Sequence, residues 1–104
     1  MISAPSQPRG DGLGRSVRQV DARTFVLRDS VWTDARYRAG LATTTIKPFS
    51  KAYFDLITAL PELKSAFALG RRVIVVGRDR AIVLADDGVD SLADEALSAV
   101  VRSW

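Results

Sequence analysis

Residues 24–37 read TFVLRDSVWTDARY, and this stretch decides how the chain begins to fold. Residues 24–28 alternate along a predicted strand, with Phe25 and Leu27 on one face, and residues 31–37 form a second β-type run. Asp29 and Ser30 lie between the two runs, and aspartate tolerates the left-handed backbone that a two-residue turn needs. We therefore predict a β-hairpin.

Further β-type runs lie on both sides of this hairpin. Residues 17–20 are predicted to form a short strand before it, and residues 43–47, which are rich in β-branched threonine, a strand after it. Residues 71–76 and 81–84 flank the tip GRDR and predict a second hairpin. Its run VIVV is typical of a central strand that is buried on both faces.

Helical spacing replaces the strand pattern after Pro48. Ser50 is a good N-cap, Phe49 is placed to pack on Phe54, and apolar residues at 53, 56, 57 and 60 form one stripe. Pro61 ends this helix and begins a short second one over residues 62–69. Gly70 is predicted to be the C′ residue of that second helix.

A third helix is predicted over residues 92–102, with Asp90 and Ser91 as its cap. The element order is then β-β-β-α-α-β-β-α, not counting the short strand over residues 17–20. It indicates an α+β fold in which helices pack on one mainly antiparallel sheet of five to six strands. Residues 16–104 are predicted to be a single domain. Residues 1–15, rich in Pro, Gly, Ser and Arg, are predicted to be a flexible linker or tail.

The composition excludes several kinds of chemistry. The 104 residues include no cysteine and no histidine, so thiol nucleophiles, Ser-His-Asp triads and HExxH metal sites are excluded. No spacing brings two aspartates together for acid–base catalysis. No apolar run approaches the about 20 residues that span a bilayer. We predict that the chain is not an enzyme, binds no cofactor or metal, and has no membrane span.

The charge of the chain permits one alternative, the weak binding of a polyanion. The chain carries 15 Lys and Arg against 12 Asp and Glu, a formal net charge of +3, and arginines flank the one tryptophan of the first hairpin. Aromatic rings and arginines together are used by RNA-binding sheets. The opposing interpretation is that the tryptophan packs on the sheet while the charges face water. The candidate polyanion-binding residues are Arg28, Trp32, Arg36, Arg71, Arg72, Arg78 and Arg80.

The predicted C-terminal helix is a second candidate surface, because its wide apolar stripe ends in a tryptophan. The favoured interpretation is that this stripe completes the core. The alternative is that it contacts a partner, which includes a homodimer through this helix. The candidate partner-binding residues are Leu92, Leu97, Val100, Val101 and Trp104.

Residues 86–90, DDGVD, have a faint similarity to a calcium loop. An EF-hand needs oxygen ligands at fixed spacing and a glutamate at the twelfth position, and Glu95 does not supply that spacing. The favoured interpretation is a turn followed by a helix N-cap, where carboxylates also suit the helix dipole.

Two segments resemble a domain at the C-terminal end of bacterial VIT/von Willebrand factor A domain proteins. The first is TFVLRDSVWTDARY, and the second is IKPFSKAYFDLITALPELKSAFALGRRVIVVGRDRA. The family pattern runs T-F-hydrophobic-hydrophobic-R-D-G-V-W, then S-x-A-Y-F-x-L, P-E-L and A-L-G-x-x-V-I-V-V. The chain departs from it at Ser30, where the pattern has glycine. It lacks the adhesion motif D-x-S-x-S, so the resemblance implies no metal site. It implies a non-catalytic appendage that follows a linker.

We therefore predict a non-catalytic protein-interaction or accessory domain of a bacterial multi-domain protein. Its partner would be another protein or another domain of the parent chain. The alternative is a basic nucleic-acid-binding module that uses the arginine-rich hairpins, whose binding would depend strongly on salt. A weaker third hypothesis is an enzyme or ligand-binding fragment that oligomerisation completes.

Overall fold

The computed structural model describes residues 16–104, and the tail predicted over residues 1–15 lies outside them. The helices are α1 (Lys51–Ala59), α2 (Leu63–Phe67) and α3 (Asp94–Arg102). The α+β class is confirmed, and with the short strand predicted over residues 17–20 four strands precede the first helix. The strands are β1 (Val17–Val20), β2 (Arg23–Arg28), β3 (Val31–Asp34), β4 (Ala42–Ile46), β5 (Val73–Val76) and β6 (Arg80–Leu84).

The six strands form one sheet in the order β1-β2-β3-β5-β6-β4. Three pairs are antiparallel, but β3 pairs with β5 and β4 pairs with β6 in parallel. The sheet is therefore mixed rather than mainly antiparallel. The physical reason is that the β5–β6 hairpin inserts between β3 and β4, so strands that are neighbours along the chain do not pair there.

The β2–β3 hairpin turns at the two residues that the sequence indicated. Asp29 and Ser30 have φ angles of 51° and 67°, so both central residues of the turn are left-handed, as in the tight turns that suit twisted strands. Strand β3 ends at Asp34 and not at residue 37. The Asp34 side chain accepts the backbone N–H of Arg36 at 2.9 Å, and its carbonyl accepts the N–H of Tyr37, which turns the chain away from the sheet.

All three helices pack against one side of the sheet. The register places alternate strand residues on that side, where they meet the buried faces of the helices. Together they form the core, whose largest buried side chains include Phe25, Ile46, Leu56, Leu63, Val75, Ile82 and Val100. Within residues 16–104, none of the helices has the length and apolar character needed to cross a membrane.

The predicted N-terminus of α1 is confirmed, because the Ser50 side chain accepts the Tyr53 N–H at 3.2 Å. Helix α2 buries Leu63 and Phe67. It is shorter than predicted, and its C-cap is Ala68, so Gly70 is not the C′ residue. Among the glycines described, only Gly40 has a positive φ, so Gly70 does not adopt the left-handed cap conformation.

Helix α3 begins two residues later than predicted. Its N-cap is Ala93, which makes no side-chain cap, and Asp90 and Ser91 lie in the preceding loop. The Asp90 carbonyl instead accepts the N–H of Ala52 in α1 at 3.0 Å. This loop packs closely on β4, because a Cβ added at Gly88 would lie 2.3 Å from the Ile46 carbonyl carbon.

Candidate interaction surface

The apolar stripe of α3 faces the core. Val100 is buried, Val101 is half-buried, and Leu92 and Leu97 pack against the core cluster. The Trp104 ring also packs there, lying against the β5–β6 turn. The favoured interpretation, that these candidate residues complete the core, matches the positions of all of them except Val101, which lies outside the core cluster.

Close packing fixes the ring of Trp104. A Cβ added at Gly77 would come within 2.5 Å of two ring atoms, so only a glycine leaves room for the tryptophan. The Arg23 guanidinium lies 5.6 Å from the ring centre, a distance typical of a cation–π contact. The end of α3 is therefore tied to both β2 and the turn after β5.

Trp32 and Arg28 do not form one platform. Trp32 pairs with Leu27 across the hairpin and is half-buried against the core on the helix side, whereas Arg28 is the next residue along β2 and points to the opposite side. The guanidinium near the Trp32 ring belongs to Arg18, at 5.7 Å. Trp32 is therefore a packing residue in this structure.

The other candidate arginines lie at separate places. Arg28 and Arg72 are exposed. The remaining four bind neighbouring groups of the chain: Arg36 binds Asp34 and the Val76 carbonyl, Arg71 binds Asp86, Arg78 binds the Arg102 carbonyl, and Arg80 binds Ser103 and Thr44. The seven residues are therefore not gathered into one surface.

Asp34 is a buried carboxylate that the sequence did not single out. It is 1% exposed at the end of β3 and accepts the Val76 N–H at 2.9 Å. The Nε atoms of Arg23 and Arg36 lie 3.6 and 3.5 Å from its oxygens. Because these contacts join β2, β3 and β5, the cluster holds the end of the sheet together, and its carboxylate oxygens already have donors.

Two phenylalanines are the most exposed large apolar side chains among residues 16–104. Phe49 is 61% exposed and Phe54 is 53% exposed. The local chain explains the first, because Phe49 has a φ of 62° in the turn where the Ser50 hydroxyl donates to the Lys47 carbonyl at 2.7 Å. This left-handed residue directs the chain into α1.

A buried ring supports both exposed rings. Tyr53 stacks on Phe67 at 5.1 Å and lies 5.2 Å from Phe49 and 5.0 Å from Phe54. The expected packing of Phe49 on Phe54 is thus replaced by contact of each with Tyr53. Burial raises the pKa of Tyr53 above its usual value of 10.0. A continuous row of rings therefore runs from the core to the surface.

Beside these rings lies a shallow depression of about 270 Å³, lined by Phe54, Ile57, Thr58 and Lys64. We call these four residues together with Phe49 the aromatic surface. Among the residues described, Lys64 has no acidic partner within 4.0 Å. The centre of the aromatic surface is therefore apolar, with one uncompensated positive charge at its side.

Two further cations border the aromatic surface. The Arg71 guanidinium lies 5.8 Å from the Phe49 ring centre, and Lys51 stands one turn before Phe54 on α1. Lys51 binds Asp55 at 2.7 Å, and this hydrogen bond raises the pKa of Lys51. The rim is thus more basic than acidic.

Residues 16–104 contain no group of three or more acidic, histidine or cysteine side chains that could hold a metal ion. The segment at residues 86–90 forms a turn in which the Gly88 N–H donates to the Ala85 carbonyl, and Asp86 pairs with Arg71.

Comparison with protein families, curated proteins and solved structures found no match to this chain.

Proposed function

We propose that this chain is a non-catalytic protein-interaction domain, an accessory unit of a larger bacterial protein, that binds its partner through the aromatic surface. The observation that carries this proposal is the exposure of Phe49 and Phe54, at 61% and 53%. Phenylalanine is usually buried, and exposed aromatic rings in a cluster are common centres of protein interfaces. The resemblance of residues 24–37 and 46–81 to an accessory domain supports the same class.

The backbone at Phe49 supports a binding role. A left-handed conformation costs a bulky L-residue about 1–2 kcal/mol relative to the usual regions. Asparagine or glycine tolerates it better, yet the position holds a phenylalanine whose ring stays largely in water. Strain of this kind is common at binding sites, where a side chain is kept for its contact with another molecule.

The partner that fits is an amphipathic protein segment that carries apolar side chains and at least one carboxylate. An apolar side chain fills the depression beside Phe54 and Ile57, and a carboxylate pairs with Lys64. The chain's own residues 1–15 fit less well, because their single acid Asp11 is outnumbered by Arg9 and Arg15, which repel the basic rim. The segment is therefore expected to come from another protein or another domain of the parent chain.

Selection from a phage-displayed library of random peptides tests this proposal on the full chain. We expect enriched peptides to combine apolar residues with Asp or Glu. Phe54→Ser should lower the affinity for a selected peptide by at least about tenfold, as the loss of a residue at the centre of an interface does. Lys64→Glu should reverse the charge preference. Tyr37→Ser, which alters an exposed ring elsewhere, is the matched control and should leave binding unchanged.

Phe49→Asn separates binding from stability. Asparagine relieves the left-handed strain, so the unfolding free energy should stay equal or rise by up to about 1 kcal/mol while peptide affinity falls. Urea unfolding and fluorescence polarisation measure the two quantities. Peptides without an acid preference, or equal binding by the wild type and Phe54→Ser, would contradict the proposal.

A further inference from the structure

The side of the sheet opposite the helices carries one row of β-branched side chains that crosses all six strands. The register pairs each member directly with the next, strand by strand. We call this set the β-branched row. From β1 to β4 it consists of Val17, Val26, Thr33, Ile74, Val83 and Thr45.

The β-branched row points away from the helix-packed core. Phe25, Val75 and Ile82 are core residues, and each is the sequence neighbour of a row member, which therefore points to the other side. The buried helix residues all belong to that same core. Within residues 16–104, no helix lies over the row.

This side of the sheet is almost free of charge, although threonines and Gln19 lie among its valines and its isoleucine. Antiparallel sheets with one face in water usually alternate apolar residues inside with polar or charged residues outside. Here Arg28 is the only charged residue among the strand positions on the open side. Val17 at the edge is 40% exposed, Ile74 and Val83 in the middle are half-buried, and Thr33 between them is 7% exposed.

We propose that the β-branched row packs against the same row of a second copy of the chain. In a twofold-symmetric dimer the same surface of both copies is in contact, so charges of one sign on that surface would repel each other. The row is uncharged and avoids this repulsion, whereas the basic rim of the aromatic surface does not. A twofold axis lying between the two sheets lets the rows interdigitate at the usual sheet separation of about 10 Å.

The size of the row sets the strength of the contact. Five inter-strand spacings of about 4.8 Å make the row about 24 Å long, and strands of four to six residues are about 13–20 Å long. The whole open side around the row therefore has a footprint of about 400 Å² in each copy. Two such footprints fall below the about 1,200 Å² of a standard interface. The dimer is therefore weak and reversible. It is independent of the aromatic surface, which lies on the helix side.

Light scattering of the full chain over a wide concentration series tests this inference. The mass should rise from monomer toward dimer as concentration increases. Val26→Lys and Ile74→Lys place a charge in the middle of the row and should keep the chain monomeric. Ser98→Lys adds the same charge on the exposed side of α3 and should dimerise like the wild type. Circular dichroism melts show that each variant is folded.

A second measurement does not depend on substitutions. Amide spectra of the wild-type chain recorded on dilution should shift at the row and its neighbours in β2, β5 and β6, and not in α1. A wild-type chain that stays monomeric at every concentration overturns the inference. Association that the two lysine variants do not weaken also overturns it, as does association that Phe54→Ser abolishes.

Discussion

At the scale of single residues, Asp34 joins strands that are far apart in sequence. Its carboxylate accepts the N–H of Val76, 42 residues away, and lies beside Arg23 and Arg36. Asp34→Asn keeps the shape but removes the charge and one acceptor. We expect it to lower the unfolding free energy by about 2–3 kcal/mol, measured as a fall in the urea midpoint with an unchanged slope.

The control for this prediction is Asp87→Asn, which changes an exposed carboxylate in a loop. It should alter stability by less than about 0.5 kcal/mol. Equal midpoints for Asp34→Asn and the wild type would show that the cluster does not hold the end of the sheet.

Tyr53 gives the fold a pH dependence. Burial raises its pKa in the folded chain, whereas in the unfolded chain it titrates near 10.0. Above that pH the unfolded state loses the proton first, so the stability from neutral Tyr53 is complete below pH 10.0 and falls as pH rises toward the folded pKa. Tyr53→Phe should reduce the loss of unfolding free energy above pH 10.0, measured by urea unfolding. Tyr37→Phe, which changes an exposed tyrosine, should leave that loss unchanged.

The residue patterns predicted the turns of the chain better than they predicted which charged side chains are buried. Asp29 and Ser30 stood between two β-type runs, and both are left-handed in the turn. The sequence around Asp34 did not indicate that its carboxylate is buried, because this burial depends on a contact with Val76 in β5, 42 residues away. The exposure of Phe49 was also missed, since its ring turns toward Tyr53 only through a left-handed backbone that the sequence did not indicate.

At the scale of elements, helix α3 has no side-chain cap at its N-terminus, although the backbone there has the geometry that a capping residue needs. Its N-cap is Ala93, with φ −63° and ψ 153°, an extended geometry that a capping serine also adopts. Ala93→Ser should stabilise the fold by about 0.5–1 kcal/mol, because its hydroxyl can accept one of the free N–H groups of the first turn. Chemical denaturation measures this gain.

The matched control for the cap is Ala96→Ser, inside the same helix and also exposed. There serine has lower helix propensity than alanine, so stability should fall by a few tenths of a kcal/mol, about 0.5 at most. Two serine variants with the same effect would mean that capping is not the cause.

The elements that the sequence predicted well are those that carry their own local signals. Helix α1 began at its Ser50 cap, and the GRDR tip joined β5 to β6. The parallel pairings were missed because they are long-range: local patterns do not show that β5 and β6 insert between β3 and β4. The start of α3 was predicted two residues too early, because the Asp90 carbonyl accepts the N–H of Ala52 in α1 and does not begin α3.

At the scale of the whole molecule, the two sides of the sheet have different chemistry. The helix side holds the core and presents Phe49 and Phe54 at its edge, beside Lys64. The open side presents an uncharged β-branched row. Because the two surfaces lie on separate layers, one chain has room for a foreign segment on one and a second copy on the other.

Association through the open side makes thermal stability depend on concentration. A second copy that binds only the folded chain shifts the unfolding equilibrium by mass action, so the wild-type Tm should rise as the protein is concentrated. Val26→Lys removes the association, and its Tm should stay constant over the same series. Ser98→Lys should follow the wild type, because its added charge lies on α3. A wild-type Tm that does not change across the series would contradict dimerisation through the β-branched row, and so would a Tm that changes equally in Val26→Lys. The aromatic surface would then be the interaction site of this fold.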